Sequence, residues 1–130
     1  MPKSLIRTAF IIVALSAASG VLAQATAPAK TADTSKGKTL VDAKGMTLYT
    51  FDKDSGGKSA CAGQCAANWP PLKAEAGAKA SGDWTLVTRD DGSPQWAYKS
   101  KPLYTFIKDT KPGDVTGDGL FNGVWHVAMP

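Results

Sequence analysis

The sequence has few of the side chains that usually carry chemistry, with one histidine and two cysteines among its 130 residues. It also lacks a phosphate-binding loop, a Gly-x-Ser-x-Gly motif and a His-Glu-x-x-His motif. The single histidine, His126, follows Trp125 in an alternating strand pattern, and no Ser-His-Asp spacing would use it as a base. We therefore predict a protein that is not an enzyme and that holds no cofactor.

A long hydrophobic run is also missing. The uncharged stretch at residues 8–23 is shorter than the roughly 20 apolar residues that a membrane span needs. It follows two basic residues and ends in Val21-Leu22-Ala23, which suits a signal peptidase. We predict that residues 1–23 are a signal peptide cut before Gln24. The protein is then periplasmic or secreted, with no integral membrane segment after processing. No cysteine lies near this cut, which excludes a lipid-modified N-terminus.

An excess of one charge is absent as well. Without the signal peptide, 13 basic residues face 11 acidic ones, and the two kinds are interspersed. This balance provides no basic surface for nucleic acid. Residues 24–36 are rich in Ala, Thr and Lys and contain no large apolar side chain, so they are predicted to be a flexible leader. Residues 37–130 suffice for a single domain.

What the sequence does contain is an eight-residue phrase that occurs twice. Residues 48–55 return as residues 103–110 with six of eight positions identical, and Trp69 recurs downstream as Trp125. Two copies of one unit indicate a repeat protein. Each unit has about 45 residues, which is marginal for an independent core. We therefore predict that two pseudo-symmetric repeats, about 37–80 and 81–130, pack together into one small domain.

Short strand patterns dominate both repeats. Alternating apolar residues and Gly- or Pro-containing turns predict two similar hairpins, at residues 39–51 and 95–107. A strand at residues 84–88 is joined to the second hairpin by Asp91-Gly92, and a last strand covers residues 124–128. The predicted fold class is therefore mainly β.

The two cysteines lie in the one segment with a helical pattern. Residues 61–69 have few β-branched side chains and stop at Pro70, so we predict one short helix there, capped by Ser59. An oxidising compartment favours a disulfide between Cys61 and Cys65. The alternatives are redox cycling of the pair, or soft-metal ligation completed by His126, Met46 or Met129.

Each copy of the repeated phrase carries a Tyr, a Phe and an Asp. Strand alternation places the two aromatic rings on one face, and so small a domain needs them to fill its core. A buried core is therefore favoured over an exposed aromatic platform for a ligand. Each Asp lies where a strand meets a loop and is expected to accept hydrogen bonds from loop backbone N–H groups. Calcium binding is the alternative. The residues are Tyr49, Phe51 and Asp54 in the first copy and Tyr104, Phe106 and Asp109 in the second.

These motifs resemble a bacterial family of secreted-repeat proteins, predicted lipoproteins with a Tyr-x-(Phe/Trp/Tyr)-x-x-Asp motif. Both motif copies fit, as do residues 61–72 and 117–127, and the resemblance runs from about Lys38 to Pro130. The family has no assigned function, so the resemblance implies export and repeat architecture but no reaction. This sequence departs from the lipoprotein pattern because it lacks the cysteine that would carry the lipid.

Together these features predict an exported, non-enzymatic, β-rich repeat domain of unknown ligand. Its role would be that of an interaction or stress-related module in the cell envelope, with an envelope protein as partner. The alternative is a copper- or haem-associated redox accessory that uses Cys61 and Cys65, with His126 as a further metal ligand.

Overall fold

The computed structural model describes residues 28–130. The predicted signal peptide, its cleavage site and residues 24–27 of the leader lie outside these residues. Strands outweigh helices, and both repeats are present, so the mainly β class is confirmed. The elements in chain order are β1 (Lys30–Thr34), β2 (Gly37–Val41), β3 (Tyr49–Phe51), α1 (Gln64–Asn68), β4 (Trp84–Thr88), β5 (Pro94–Tyr98), β6 (Lys101–Pro102), α2 (Leu120–Gly123) and β7 (Trp125–Val127).

The strands form three small antiparallel sheets, β1–β2, β3–β7 and β4–β5–β6. The predicted 84–88 strand and its hairpin partner are present as β4 and β5. The turn between β5 and β6 places Lys99 and Ser100 at φ values of 50° and 69°. Two consecutive left-handed residues match the twist of a tight hairpin, which explains how β6 returns directly onto β5.

The prediction of a flexible leader is wrong for residues 30–36. Residues 30–34 form β1, whose register runs from Lys30 opposite Val41 to Thr34 opposite Gly37. Backbone hydrogen bonds along this ladder order the segment although it has no large apolar side chain. The Thr39 hydroxyl, which is fully buried, adds a bond to the carbonyl of Ala32 at 3.4 Å. The domain therefore begins earlier than residue 37.

The helical content is slightly larger than predicted. The helix expected at residues 61–69 is present as the shorter α1, with Gly63 at its N-cap position and no side-chain cap. Ser59 therefore does not cap it. A second short helix, α2, lies at the equivalent place in the second repeat. Within α2, Phe121 and Asn122 have φ values of 55° and 63°, so this turn departs from regular helical geometry.

The two repeats exchange their last strands. β7, at the end of the second repeat, pairs with β3 in the first, with Phe51 opposite Trp125. In return, the carbonyl of Pro70 in the first repeat accepts a bond from the N–H of Thr105 in the second, at 2.8 Å. Between these contacts the backbones of Tyr49 and Tyr104 bond reciprocally, at 2.7 and 3.0 Å. Neither repeat is complete without the other.

Two adjoining apolar clusters form the core. The first contains both motif tyrosines, both repeat tryptophans and Phe106, all at most 8% exposed, with Phe51 partly buried against it. The second contains Leu48 and Leu103, which point to the opposite strand face. The aromatic side chains therefore form a core, and the first cluster is the centre of the candidate site.

Candidate functional site

Four aromatic rings stack in a row at the centre of the first cluster. The two indoles lie 3.7 Å apart at an interplanar angle of 3°. Phe51 covers Trp125 at 4.3 Å, and Phe106 covers Trp69 at 4.0 Å. We call Phe51, Trp125, Trp69 and Phe106 the aromatic stack. Its two ends are the equivalent Phe residues of the two repeats, so the stack shares the pseudo-symmetry of the fold.

The motif tyrosines lie edge-on against the stack and bond across the repeats. The Tyr49 ring meets Trp69 at 5.3 Å, and its hydroxyl donates to Asp109 Oδ2 at 2.6 Å. The Tyr104 hydroxyl donates to Asp54 Oδ2 at 2.7 Å. Each tyrosine therefore pairs with the aspartate of the other motif copy.

Each aspartate uses its second oxygen to hold a loop. Asp54 Oδ1 accepts the N–H of Ala60 at 2.6 Å, and Asp109 Oδ1 accepts the N–H of Thr116 at 2.9 Å. Loop backbone bonds were expected at these positions. The tyrosine bonds were not, because they join residues 60 and 50 positions apart.

Burial changes the acidity of these groups. Desolvation, with a further contribution from Asp109, raises the pKa of Tyr49 far above its ordinary value of 10.0. Desolvation likewise raises the pKa of Tyr104, and Asp54 reinforces that rise. The pKa of the Asp54 carboxyl is raised by burial, against the opposing hydrogen bonds from Ala60 and Tyr104. Burial therefore opposes ionisation of each of these three groups.

An exposed aromatic side chain lies beside the buried stack. Phe121 is 63% exposed and lines two surface depressions of about 500 and 590 Å³. Both depressions include Asn68 and Trp69, and the stack residues Phe51, Trp125 and Phe106 line one or the other. We call this surface the Phe121 face.

The rim of the Phe121 face is basic. Lys53 lines one depression and Lys108 lines the other, and these lysines occupy the same position in the two motif copies. No acidic side chain lines either depression. The face therefore combines an aromatic floor with one positive charge on each side.

Residues 30–73 and 85–129 each match a family described as a secreted repeat of unknown function. The chain belongs to this family. The two matched segments correspond to the two repeats seen in the fold, and the first begins at β1. No curated protein and no solved structure gave a match to the chain. Within residues 28–130, no helix has the length and apolar character to cross a membrane.

In this secreted repeat protein, the two Tyr–Asp pairs have different neighbouring hydrogen-bond partners. Arg89, buried under the Tyr104–Asp54 pair, donates to Ser59 Oγ at 3.0 Å and to Gln95 Oε1 at 2.8 Å. Ser59 Oγ in turn lies 2.6 Å from the Tyr104 hydroxyl. The Tyr49 hydroxyl instead accepts the N–H of Gly117 at 3.2 Å. Sequence reasoning missed Arg89 and Gln95, because neither belongs to the repeated phrase.

The cysteines form a disulfide that packs on the same cluster. The Cys61–Cys65 bond has an S–S distance of 2.02 Å, with Cys61 fully buried and Cys65 partly buried. His126 Nε2 lies 2.8 Å from Asp52 Oδ2 on the exposed face of the β3–β7 pair. Among residues 28–130, the structure brings together no three His, Cys, Asp or Glu side chains suited to a metal ion. The hypothetical set of Cys61, Cys65 and His126 is thus not assembled.

Proposed function

We propose that this secreted repeat protein is a non-enzymatic interaction module of the cell envelope. It binds a segment of a partner protein that carries both carboxylates and apolar side chains. The binding surface is the Phe121 face.

The observation that carries the proposal is the conformation of Phe121. Its backbone has φ 55° and ψ 57°, in the left-handed region, and the next residue, Asn122, is left-handed too. This conformation costs a non-glycine residue about 1–2 kcal/mol. The 63%-exposed ring gains little from core burial in return. Strain kept at an exposed aromatic side chain is typical of a recognition site.

The shape and charge of the face define the partner. Each depression falls in the size range of known ligand sites, about 300–1,000 Å³. A polypeptide segment crossing Phe121 can place one apolar side chain on each side of the ring. Because Lys53 and Lys108 line the two depressions and no acidic side chain does, carboxylates on that segment gain favourable contacts at both ends.

The polar groups of the motif support a structural rather than a catalytic role. In the described part of the chain, every buried side-chain nitrogen and oxygen has a hydrogen-bond partner. Tyrosine and aspartate satisfy each other within each pair, and Arg89 is satisfied by Ser59, Gln95 and the carbonyl of Cys61. These bonds hold the stack and the loops that carry the Phe121 face.

The test is selection of peptides from a random display library on the mature protein, followed by affinity measurement with the enriched peptides. We expect enrichment of Asp or Glu together with apolar residues, and binding that weakens with salt. Phe121→Gly should abolish binding, yet should leave stability unchanged or raise it by about 1 kcal/mol because glycine accepts the left-handed conformation.

Two further variants complete the design. Lys53→Glu with Lys108→Glu should reject the acidic peptides and accept charge-reversed versions of them. Ile107→Ala is the matched control, since Ile107 is 50% exposed and lines neither depression, and it should bind as the unmodified protein does. Enriched peptides without carboxylates, or affinity unchanged by Phe121→Gly, would refute the proposal.

A further inference from the structure

The buried tyrosines combine three features besides their support of the Phe121 face. Each ring contacts an indole of the aromatic stack, with centroids 5.3 Å apart for Tyr49–Trp69 and 5.2 Å apart for Tyr104–Trp125. Each hydroxyl donates a short hydrogen bond to a carboxylate. Both tyrosine side chains are fully buried.

We propose that the Tyr49–Asp109 and Tyr104–Asp54 pairs are sites of proton-coupled one-electron oxidation, reached through the aromatic stack. The co-reactant is a one-electron oxidant of the radical class at the protein surface. This activity goes beyond peptide binding and does not depend on it.

The electron and the proton leave each tyrosine along separate routes. The surface oxidant takes one electron from an indole of the stack and is reduced by one electron. The tyrosine then returns an electron to that indole while its O–H bond breaks and the proton moves to the aspartate. The products are a neutral tyrosyl radical, a carboxylic acid and the reduced oxidant.

The carboxylate accepts the tyrosine proton and so prevents a build-up of positive charge in the buried site during oxidation. Oxidation without proton transfer would create a positive charge in a buried site, which is strongly unfavourable. When the proton moves to the aspartate, the pair changes from one buried negative charge to none. The distances of 2.6 and 2.7 Å satisfy the geometric requirement for a general base. The raised pKa of Asp54, caused by burial, favours the protonated product in that pair.

The stack supplies the route inward. Its parallel indoles, 3.7 Å apart, are in van der Waals contact and share a positive charge more readily than one ring alone. Phe51, at one end, is only partly buried and lies 4.3 Å from Trp125. An oxidant at the surface is therefore separated from the first indole by a single ring.

Tyr98 provides an internal control, since the chain has three tyrosines in all. It is half-buried and lies 4.8 Å from Trp84, so it too has an indole neighbour. Lys99 Nζ lies over its ring at 5.2 Å. This nearby cation opposes the loss of an electron from the ring. Tyr98 thus has an aromatic neighbour but lacks the bond to a carboxylate that defines the two pairs.

The experiment oxidises the mature protein with photogenerated tris(bipyridine)ruthenium(III), with persulfate as the electron acceptor, and identifies radicals by freeze-quench electron paramagnetic resonance. In Tyr98→Phe, any tyrosyl radical belongs to Tyr49 or Tyr104, and neither pair is disturbed. We expect this variant to keep the tyrosyl signal of the unmodified protein. Loss of that signal in Tyr98→Phe, or detection of tryptophan radicals alone, overturns the proposal.

A second arm tests the proton acceptor. Asp109→Asn and Asp54→Asn each keep a hydrogen-bond acceptor near the hydroxyl but remove a base. Removing a positioned base should slow tyrosyl formation about a hundredfold and let a tryptophan radical cation accumulate in its place. Asp91→Asn, at an exposed turn, is the matched control and should behave as the unmodified protein does. Equal tyrosyl formation rates in the single Asn variants, their double variant and the control also overturn the proposal.

Discussion

At the scale of single residues, stability depends on the two crossed Tyr–Asp pairs. A buried hydroxyl and a buried carboxylate each cost free energy unless they are bonded. In the pairs, each partner satisfies the other, and the bond also ties one repeat to the other. Removal of one hydroxyl therefore leaves a carboxylate short of a donor in a partly desolvated position.

The raised tyrosine pKa values predict the response to alkali. The unfolded tyrosines ionise near the ordinary value of 10.0, whereas the folded ones keep their protons. Their contribution to stability is thus complete below pH 10 and is lost as the pH rises above it, by about 1.4 kcal/mol per pH unit for each tyrosine. Spectrophotometric titration should show Tyr49 and Tyr104 ionising only as near-UV circular dichroism is lost.

Variants separate these contributions. Tyr49→Phe and Tyr104→Phe should each lose about 1–3 kcal/mol at neutral pH, because a carboxylate loses its donor. Each should also show a shallower loss of stability above pH 10 than the unmodified protein. Tyr98→Phe touches neither pair and should keep the full alkaline slope. Equal slopes in all three variants, measured by urea denaturation across this range, would contradict the assignment.

Sequence alone identified the six motif residues but not their pairing. Tyr49 and Asp54 belong to the same copy of the phrase, so their short separation in sequence suggests that they bond to each other. The crossed bonds arise because the repeats exchange strands, and exchange is a property of topology rather than of local pattern. Arg89 was missed for the same reason: its bond to the carbonyl of Cys61 joins residues 28 positions apart.

At the scale of elements, the two helical turns show how the repeats diverge. Counted back from Trp69 and Trp125, Cys61 corresponds to Gly117 and Cys65 to Phe121. A Cβ at Gly117 would lie 2.6 Å from the Trp69 ring. The turn in the first repeat is therefore held by a disulfide. In the second repeat, the Trp69 indole packs directly on the backbone at Gly117.

The disulfide should act locally. It closes a loop of only a few residues, so the entropy model assigns it about 2 kcal/mol. The purified protein should contain no free thiol, and reduction should raise hydrogen exchange in residues 61–69 while the strands stay protected. A Cys61→Ala/Cys65→Ala variant should show the same exchange pattern without reductant. Loss of protection throughout β3 and β7 on reduction would contradict a local role.

Two elements, β1 and α2, escaped prediction for different physical reasons. β1 has no apolar periodicity, because its order comes from backbone pairing with β2 rather than from side-chain burial. α2 contains left-handed residues at Phe121 and Asn122. Asparagine is enriched in this conformation, but nothing in the sequence indicates it for phenylalanine. Elements with a buried face, such as β5 and β7, were predicted well because burial imposes alternation on the sequence.

At the scale of the whole molecule, strand exchange means that each repeat completes the backbone hydrogen bonding of the other. A ring of backbone bonds links Leu40, Leu48 and Ala128, with Ala128 supplied by the second repeat. An equivalent ring links Trp96, Leu103 and Leu72, with Leu72 supplied by the first. The aromatic stack is likewise shared, since its two indoles come from different repeats. Assembly of the two halves and formation of the core are therefore one event.

This topology predicts that the halves fold only together. Fragments 24–80 and 81–130, produced separately, should each lack the near-UV signal of the packed stack, because each has one of its two indoles. Mixing them should restore that signal and give a 1:1 complex by size-exclusion chromatography. Trp125→Ala in the second fragment should prevent recovery, since it removes half of the 3.7 Å indole contact, whereas Tyr98→Phe should not. Cooperative unfolding of the isolated first fragment would show that strand exchange is dispensable for its core.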